Sequence, residues 1–150
     1  MSWPAAMAGR EGTRIAAPAH IVDITPTLLD IAGVTPRTDK APIDGISLAG
    51  AFRGRSIPAS RPFFFEHYGS RAVIDGRWKL VSLARGGQRP DLAWALFDLE
   101  NDRTETQDVG PLHPDVVARL DTLWMDWARD VGVPERDGVL GTSVAVAFSD

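Results

Sequence analysis

The chain contains no cysteine, which excludes disulfides, thiolate-bound zinc, iron–sulfur clusters and a thiol nucleophile, and leaves the compartment open. No apolar run approaches the roughly 20 residues that span a bilayer. The opening, MSWPAAMAGREG, has no basic stretch followed by an apolar one, so no signal peptide is expected. Arginines are scattered and the formal net charge is -4, which gives no reason to expect nucleic acid or an anionic membrane as a partner. Gly-x-Ser-x-Gly, Gly-x-Gly-x-x-Gly and Walker patterns are all absent, so neither a nucleophile elbow nor a phosphate-cradling loop is present. Nothing in the chain assembles into a complete catalytic constellation.

What is present suits a folded body. At 150 residues, 44% apolar and 24% charged, the chain is long enough to bury a core and ordinary in composition. The organising stretch is Arg61 to Leu83, RPFFFEHYGSRAVIDGRWKLVSL. Three β-prone runs are separated by Tyr68-Gly69-Ser70 and by Asp75-Gly76, the latter a strong hairpin signal. Ala72 and Ile74 flank Val73, while Trp78, Leu80 and Ser82 alternate with Lys79, Val81 and Leu83. This spacing predicts antiparallel strands with one face on a core and the other partly wet.

Residues 1–19 read as a loop with a brief extended piece at Thr13 to Ala16. Thr25-Pro26 reads as an N-cap followed by proline at the first helical position, and Gly33 as the stop. Thr35 to Ser60 is a long Pro- and Gly-containing connection with an apolar island at Ile46 to Leu48. After a Gly86-Gly87 loop, a further strand is expected at Trp94 to Leu99, followed by polar turns. A helix should open at Pro114-Asp115 and end near Val131, with Val117, Leu120, Trp124, Trp127 and Val131 forming the stripe that covers the sheet. The predicted class is α+β: a small antiparallel sheet of about four strands covered by a C-terminal helix and preceded by a short helix. The organisation read from this is 1–60 (loop, helix, connection), 61–134 (sheet and helix) and 135–150 (a loosely ordered tail).

Asp98-Leu99-Glu100-Asn101-Asp102 has the alternate oxygens of a calcium loop, but Arg103 stands where such a loop needs glycine and Val109 where it needs a bidentate glutamate. It reads as a solvated turn. Of the three histidines, His113 precedes a helix-opening proline and His20 begins an apolar segment. His67 adjoins Glu66 and a turn, where sites gather, although strand alternation sends the two side chains to opposite faces.

Four segments, in order, resemble the sulfatases of the alkaline-phosphatase superfamily. They are His20 to Gly33 (HIVDITPTLLDIAG), Ile43 to Leu48 (IDGISL), Ser70 to Val81 (SRAVIDGRWKLV) and Leu96 to Thr106 (LFDLENDRTET), the last with Arg103 in place of a usual proline. Trp3-Pro4 resembles the segment preceding the helix. The resemblance implies a sulfuric ester hydrolase using a formylglycine nucleophile and a calcium ion, both supplied upstream of the matched segments. The formylglycine motif is Cys or Ser followed by x-Pro-x-Arg. Ser56-Ile57-Pro58-Ala59-Ser60-Arg61 comes nearest but carries its arginine one place late, so no catalytic or metal-binding residue is assigned. The short helix would then belong to a large α/β domain that is the chain's expected partner, with a sulfate-ester small molecule or glycan as substrate. By resemblance, His67 is the candidate substrate contact, with Ser70 and Arg71 behind it. Two other readings stay open: a stand-alone non-catalytic binding or assembly module, and a related phosphoester or phosphonate hydrolase.

Overall fold

The computed structural model describes residues 12–36, 39, 42–57, 61–84 and 93–133. Trp3-Pro4, Pro58 to Ser60, Gly86-Gly87 and the tail from residue 135 lie outside the described residues. The chain divides into two compact units, Met1–Ser60 and Arg61–Asp150.

In the first unit, Thr13 to Ala16 forms no strand. A 3-10 turn, Ile21–Asp23, leads directly into α1 (Ile24–Ala32). The helix therefore starts earlier than Thr25-Pro26 suggests, because the Asp23 carboxylate accepts from the His20 backbone N–H at 2.8 Å and organises the entry. Pro26 becomes the third helical residue, where a backbone N–H still has no partner within the helix, so proline costs little. The helix ends as expected: Gly33 takes a φ of 67° and Val34 N–H donates to the Leu29 carbonyl at 2.9 Å. The described part of the connection after it, residues 42–57, is more ordered than its composition suggests. It contains a one-turn helix, α2 (Ala49–Phe52), and its island is stitched to α1 by side chains. Ile46 N–H donates to Asp23 Oδ1, Leu48 N–H to Thr27 Oγ1 and the Ser47 hydroxyl to Asp30 Oδ2.

The second unit is a four-stranded antiparallel sheet in the order β1 (Phe63–His67), β2 (Ser70–Asp75), β3 (Trp78–Ser82) and β4 (Ala95–Asp98), followed by the helix α3 (Pro114–Asp130). Both hairpins turn on two residues, Tyr68-Gly69 and Gly76-Arg77, as the registers His67↔Ser70 and Asp75↔Trp78 require. Register puts Phe64, Val73, Leu80 and Leu96 in one row across the sheet. Val73, Leu80 and Leu96 are buried with Leu120, Trp124 and Ala128 of α3. The helical stripe thus centres on the i, i+4, i+8 positions 120, 124 and 128, with Val117 and Trp127 on its flanks. Val131, expected in the stripe, is exposed, because the helix stops at Asp130 and Gly132 turns the chain away with a φ of 70°. The Trp127 ring stacks on Phe64 at 5.1 Å, so the C-terminal half of α3 lies over β1. No helix among the described residues is long and apolar enough to cross a membrane.

Candidate functional site

The same register that builds the core composes the opposite face, turned away from α3, on which Phe63 and Ala72 are buried and Phe65 is exposed. Phe65, Ala72, Val81 and Ala95 form one row; Phe63, Ile74, Lys79 and Phe97 form the next. His67 and Ser70 meet at the end of the β1–β2 hairpin. Between these side chains lies a shallow groove of about 220 Å³, floored by Phe65, Ala72, Ile74 and Val81 and rimmed by His67, Ser70, Lys79 and Leu83. Lys79 is neutralised there, its Nζ donating to both Glu105 carboxylate oxygens at 2.7 and 2.6 Å. The polar end is the hairpin end. His67 packs edge-on against the Tyr68 ring at 4.6 Å, and Ser70 Oγ accepts from Ala84 N–H at 3.1 Å.

Of the three residues singled out from the sequence, His67 and Ser70 come together on this rim. Glu66 does not join them. Its Oε1 accepts from Gly69 N–H at 3.0 Å and so braces the turn. Arg71 borders the groove, but its guanidinium lies on the helix-covered side and the residue is only 5% exposed. That group sits 4.0 Å from the centre of the Trp94 ring and 5.4 Å from that of Trp124. Trp94 Nε1–H in turn donates to Asp121 Oδ1 at 2.9 Å. Burial lowers the Arg71 pKa, and the nearby Asp121 charge partly restores it. An arginine sandwiched this way is a packing and cation–π element. The sequence offered one clue, since alternation sends Arg71 to the same face as Val73.

The acidic segment is a turn built from carboxylates. Asp98 accepts from Arg77 Nε at 2.9 Å, pairs with Arg77 Nη2, and takes Asn101 Nδ2–H and Glu100 N–H as well. These donors, the Arg77 bond above all, pull its pKa down to about 2. Asp102 collects the backbone N–H groups of Thr106 and Gln107 and the Thr104 and Thr106 hydroxyls, which hold its pKa low. With their oxygens committed to protein donors, these side chains do not fit a calcium ion, and no group of three or more potential ligands converges among the described residues. His113 occupies the N-cap position of α3 with its ring 5.0 Å from that of Trp78, which is a structural role. Sequence reasoning also passed over Asp23 and Thr27, both fully buried and holding the connection to α1. Their i, i+4 spacing and polarity on an apolar helix were the available signal.

No protein-family profile matches the chain. It is 26% identical over 132 residues to an uncharacterized sulfatase of Schizosaccharomyces pombe, covering 75% of this chain and 22% of that protein. It is 32% identical over 124 residues to arylsulfatase K of Danio rerio, covering 76% of this chain and 23% of that protein. The chain thus spans under a quarter of the length of these curated relatives. Its fold matches the crystal structure of Ps i-CgsB in complex with k-i-k-neocarrahexaose. The TM-score is 0.62 at 22% identity, over 79% of this chain and 26% of that one.

Proposed function

We propose, from the premise that this chain corresponds to the C-terminal sulfatase-like portion of its relatives, that it forms the non-reacting flank of a sulfuric ester hydrolase. In this reading the sheet-and-helix unit borders the substrate cleft. The formylglycine nucleophile and the calcium ligands come from sequence outside these 150 residues. The observation that carries it is the pairing of His67 with Ser70 at the polar end of the groove on the sheet face turned away from α3. An imidazole and a hydroxyl placed there can donate hydrogen bonds to an anionic sulfate or to the group bearing it. Arg71 takes part by holding Trp94 and Trp124 behind β2 rather than by touching the ester.

The test has two arms. The purified chain with calcium is expected to show no turnover of p-nitrophenyl sulfate, and measurable turnover would refute the assignment of chemistry elsewhere. The same ester should shift the His67 imidazole resonances saturably, and His67→Ala should abolish binding; an unresponsive His67 would remove it from the substrate's path. A second reading, a stand-alone binding module, draws support from the second unit's own buried core of Val73, Leu80, Leu96, Leu120, Trp124 and Ala128. It requires a cooperative thermal transition and a monodisperse monomer, whereas a broad melt or aggregation speaks for the flank.

A further inference from the structure

The chain has a single tyrosine, Tyr68, and it stands at the tip of the β1–β2 hairpin with 76% of its surface exposed. Both turn residues have positive φ, 50° at Tyr68 and 88° at Gly69. That sign pattern suits Asn-Gly; a bulky aromatic in the first place is strained. The strain gains no burial, since the ring touches the edge of the His67 imidazole and otherwise faces solvent. Yet the turn beneath it is braced by the Glu66–Gly69 and Ser70–Ala84 hydrogen bonds, so the ring is presented on a fixed mount. Backbone strain of this kind clusters at active sites and ligand clamps, and a braced turn that leaves an aromatic ring exposed places it for contact.

We infer that Tyr68 is a stacking platform for one pyranose ring of a saccharide, beside His67. This rests on, and deepens, the reading of the hairpin end as substrate-facing. A pyranose is a disc with C–H bonds on its faces and hydroxyls around its rim. The flat apolar face of Tyr68 matches the first, and the adjoining His67 imidazole and Ser70 hydroxyl match the second. A protein partner fits less well. An aromatic anchor at a protein interface works inside a ring of water-excluding contacts, whereas Tyr68 adjoins exposed Glu66 and His67.

Because the tyrosine is unique, labelling its ring with 13C gives signals from one residue. The labelled chain would be titrated with a 6-O-sulfated pyranose disaccharide and with its desulfated counterpart. The platform predicts a saturable Tyr68 shift with both sugars, at least tenfold weaker binding for Tyr68→Ala, and retained binding for Tyr68→Trp. Tyr68→Asn supplies the control for folding, since asparagine tolerates positive φ: its unfolding midpoint should equal or exceed the parent's while the sugar is lost. Sugar binding by Tyr68→Asn at parental strength overturns the platform, as does a Tyr68 ring that neither sugar moves. The reading beneath it is judged separately. A His67 response to p-nitrophenyl sulfate with a silent Tyr68 leaves the sulfate ester and removes the sugar. Tyr68 shifts with both sugars and a silent His67 support the platform and count against the sulfate contact.

Discussion

Asp98 and Arg71 show how differently a charge behaves when donors surround it and when aromatic rings do. Asp98 keeps its negative charge because Arg77, Asn101 and the Glu100 N–H all point at it, and its folded pKa lies near 2 against an ordinary 3.8. A depressed carboxylate pKa stabilises the fold above the unfolded value, and that stability is lost as pH falls through the folded one. Unfolding midpoints in urea should therefore fall between about pH 4 and pH 2, and Asp98→Asn should flatten that segment of the profile while lowering the plateau above it. Arg71 is the reverse, a cation whose burial disfavours its charge. Removing it leaves a void under Trp94, so Arg71→Ala should cost about 2 kcal/mol, read from denaturant unfolding. Arg71→Met should recover part of the loss by filling the same space. The type and position of both residues were plain in the sequence. Their partners were not, since Asp98 meets Arg77 across a hairpin register and Arg71 meets Trp94 and Trp124 only after the helix has docked.

Elements were more legible where a local rule decides them. Gly76 sets a turn, which falls on Gly76-Arg77, one residue later than Asp75-Gly76; alternation fixes strand faces, and a 3–4 spacing of apolar residues makes α3 amphipathic, so the sheet and its covering helix follow from neighbours in the chain. Leu120, fully buried on that helix, tests the packing directly. Leu120→Ala should lose roughly 2–5 kcal/mol, a large share of the ordinary stability of a domain, measured by chemical denaturation. The first unit was harder to read because its order comes from distant side-chain-to-backbone bonds. Asp23 moves the helix start upstream of Thr25, and Thr27 captures Leu48 from 21 residues away. Gly45 reveals the same closeness: a Cβ there would run into the backbone of Val22. Gly45→Ala should therefore destabilise this unit by about 1–3 kcal/mol. The loss would show as early exchange of the Ile46 and Leu48 amides that the glycine lets approach α1.

At the scale of the molecule, the sheet has one face packed under α3 and an opposite face that is buried only in part. Val73 and Leu80 are fully buried under α3, whereas on the other side Phe63 and Ala72 are buried, Val81 is half-buried and Phe65 and Leu83 are 39% and 57% exposed. In the first unit, Ile21, Ile24 and Leu28 are likewise exposed, at 74%, 43% and 54%. Apolar surface of this kind suits a portion that spans under a quarter of its relatives' length, because such patches ordinarily mark contact surfaces. On the proposed reading, the polar hairpin end would serve ligand contact at His67 and Ser70, and the apolar floor of the groove docking across Phe65, Ile74 and Val81. Substitution on the floor separates contact from folding. Val81→Lys adds a charge on the face turned away from α3 while Leu80 keeps the core intact, so the unfolding free energy should change by no more than about 0.5 kcal/mol. Binding of a hydrophobic dye and concentration-dependent association should both drop. A large loss of stability with unchanged dye binding would mean that this face is already occupied within the chain, and the groove would then be core rather than surface.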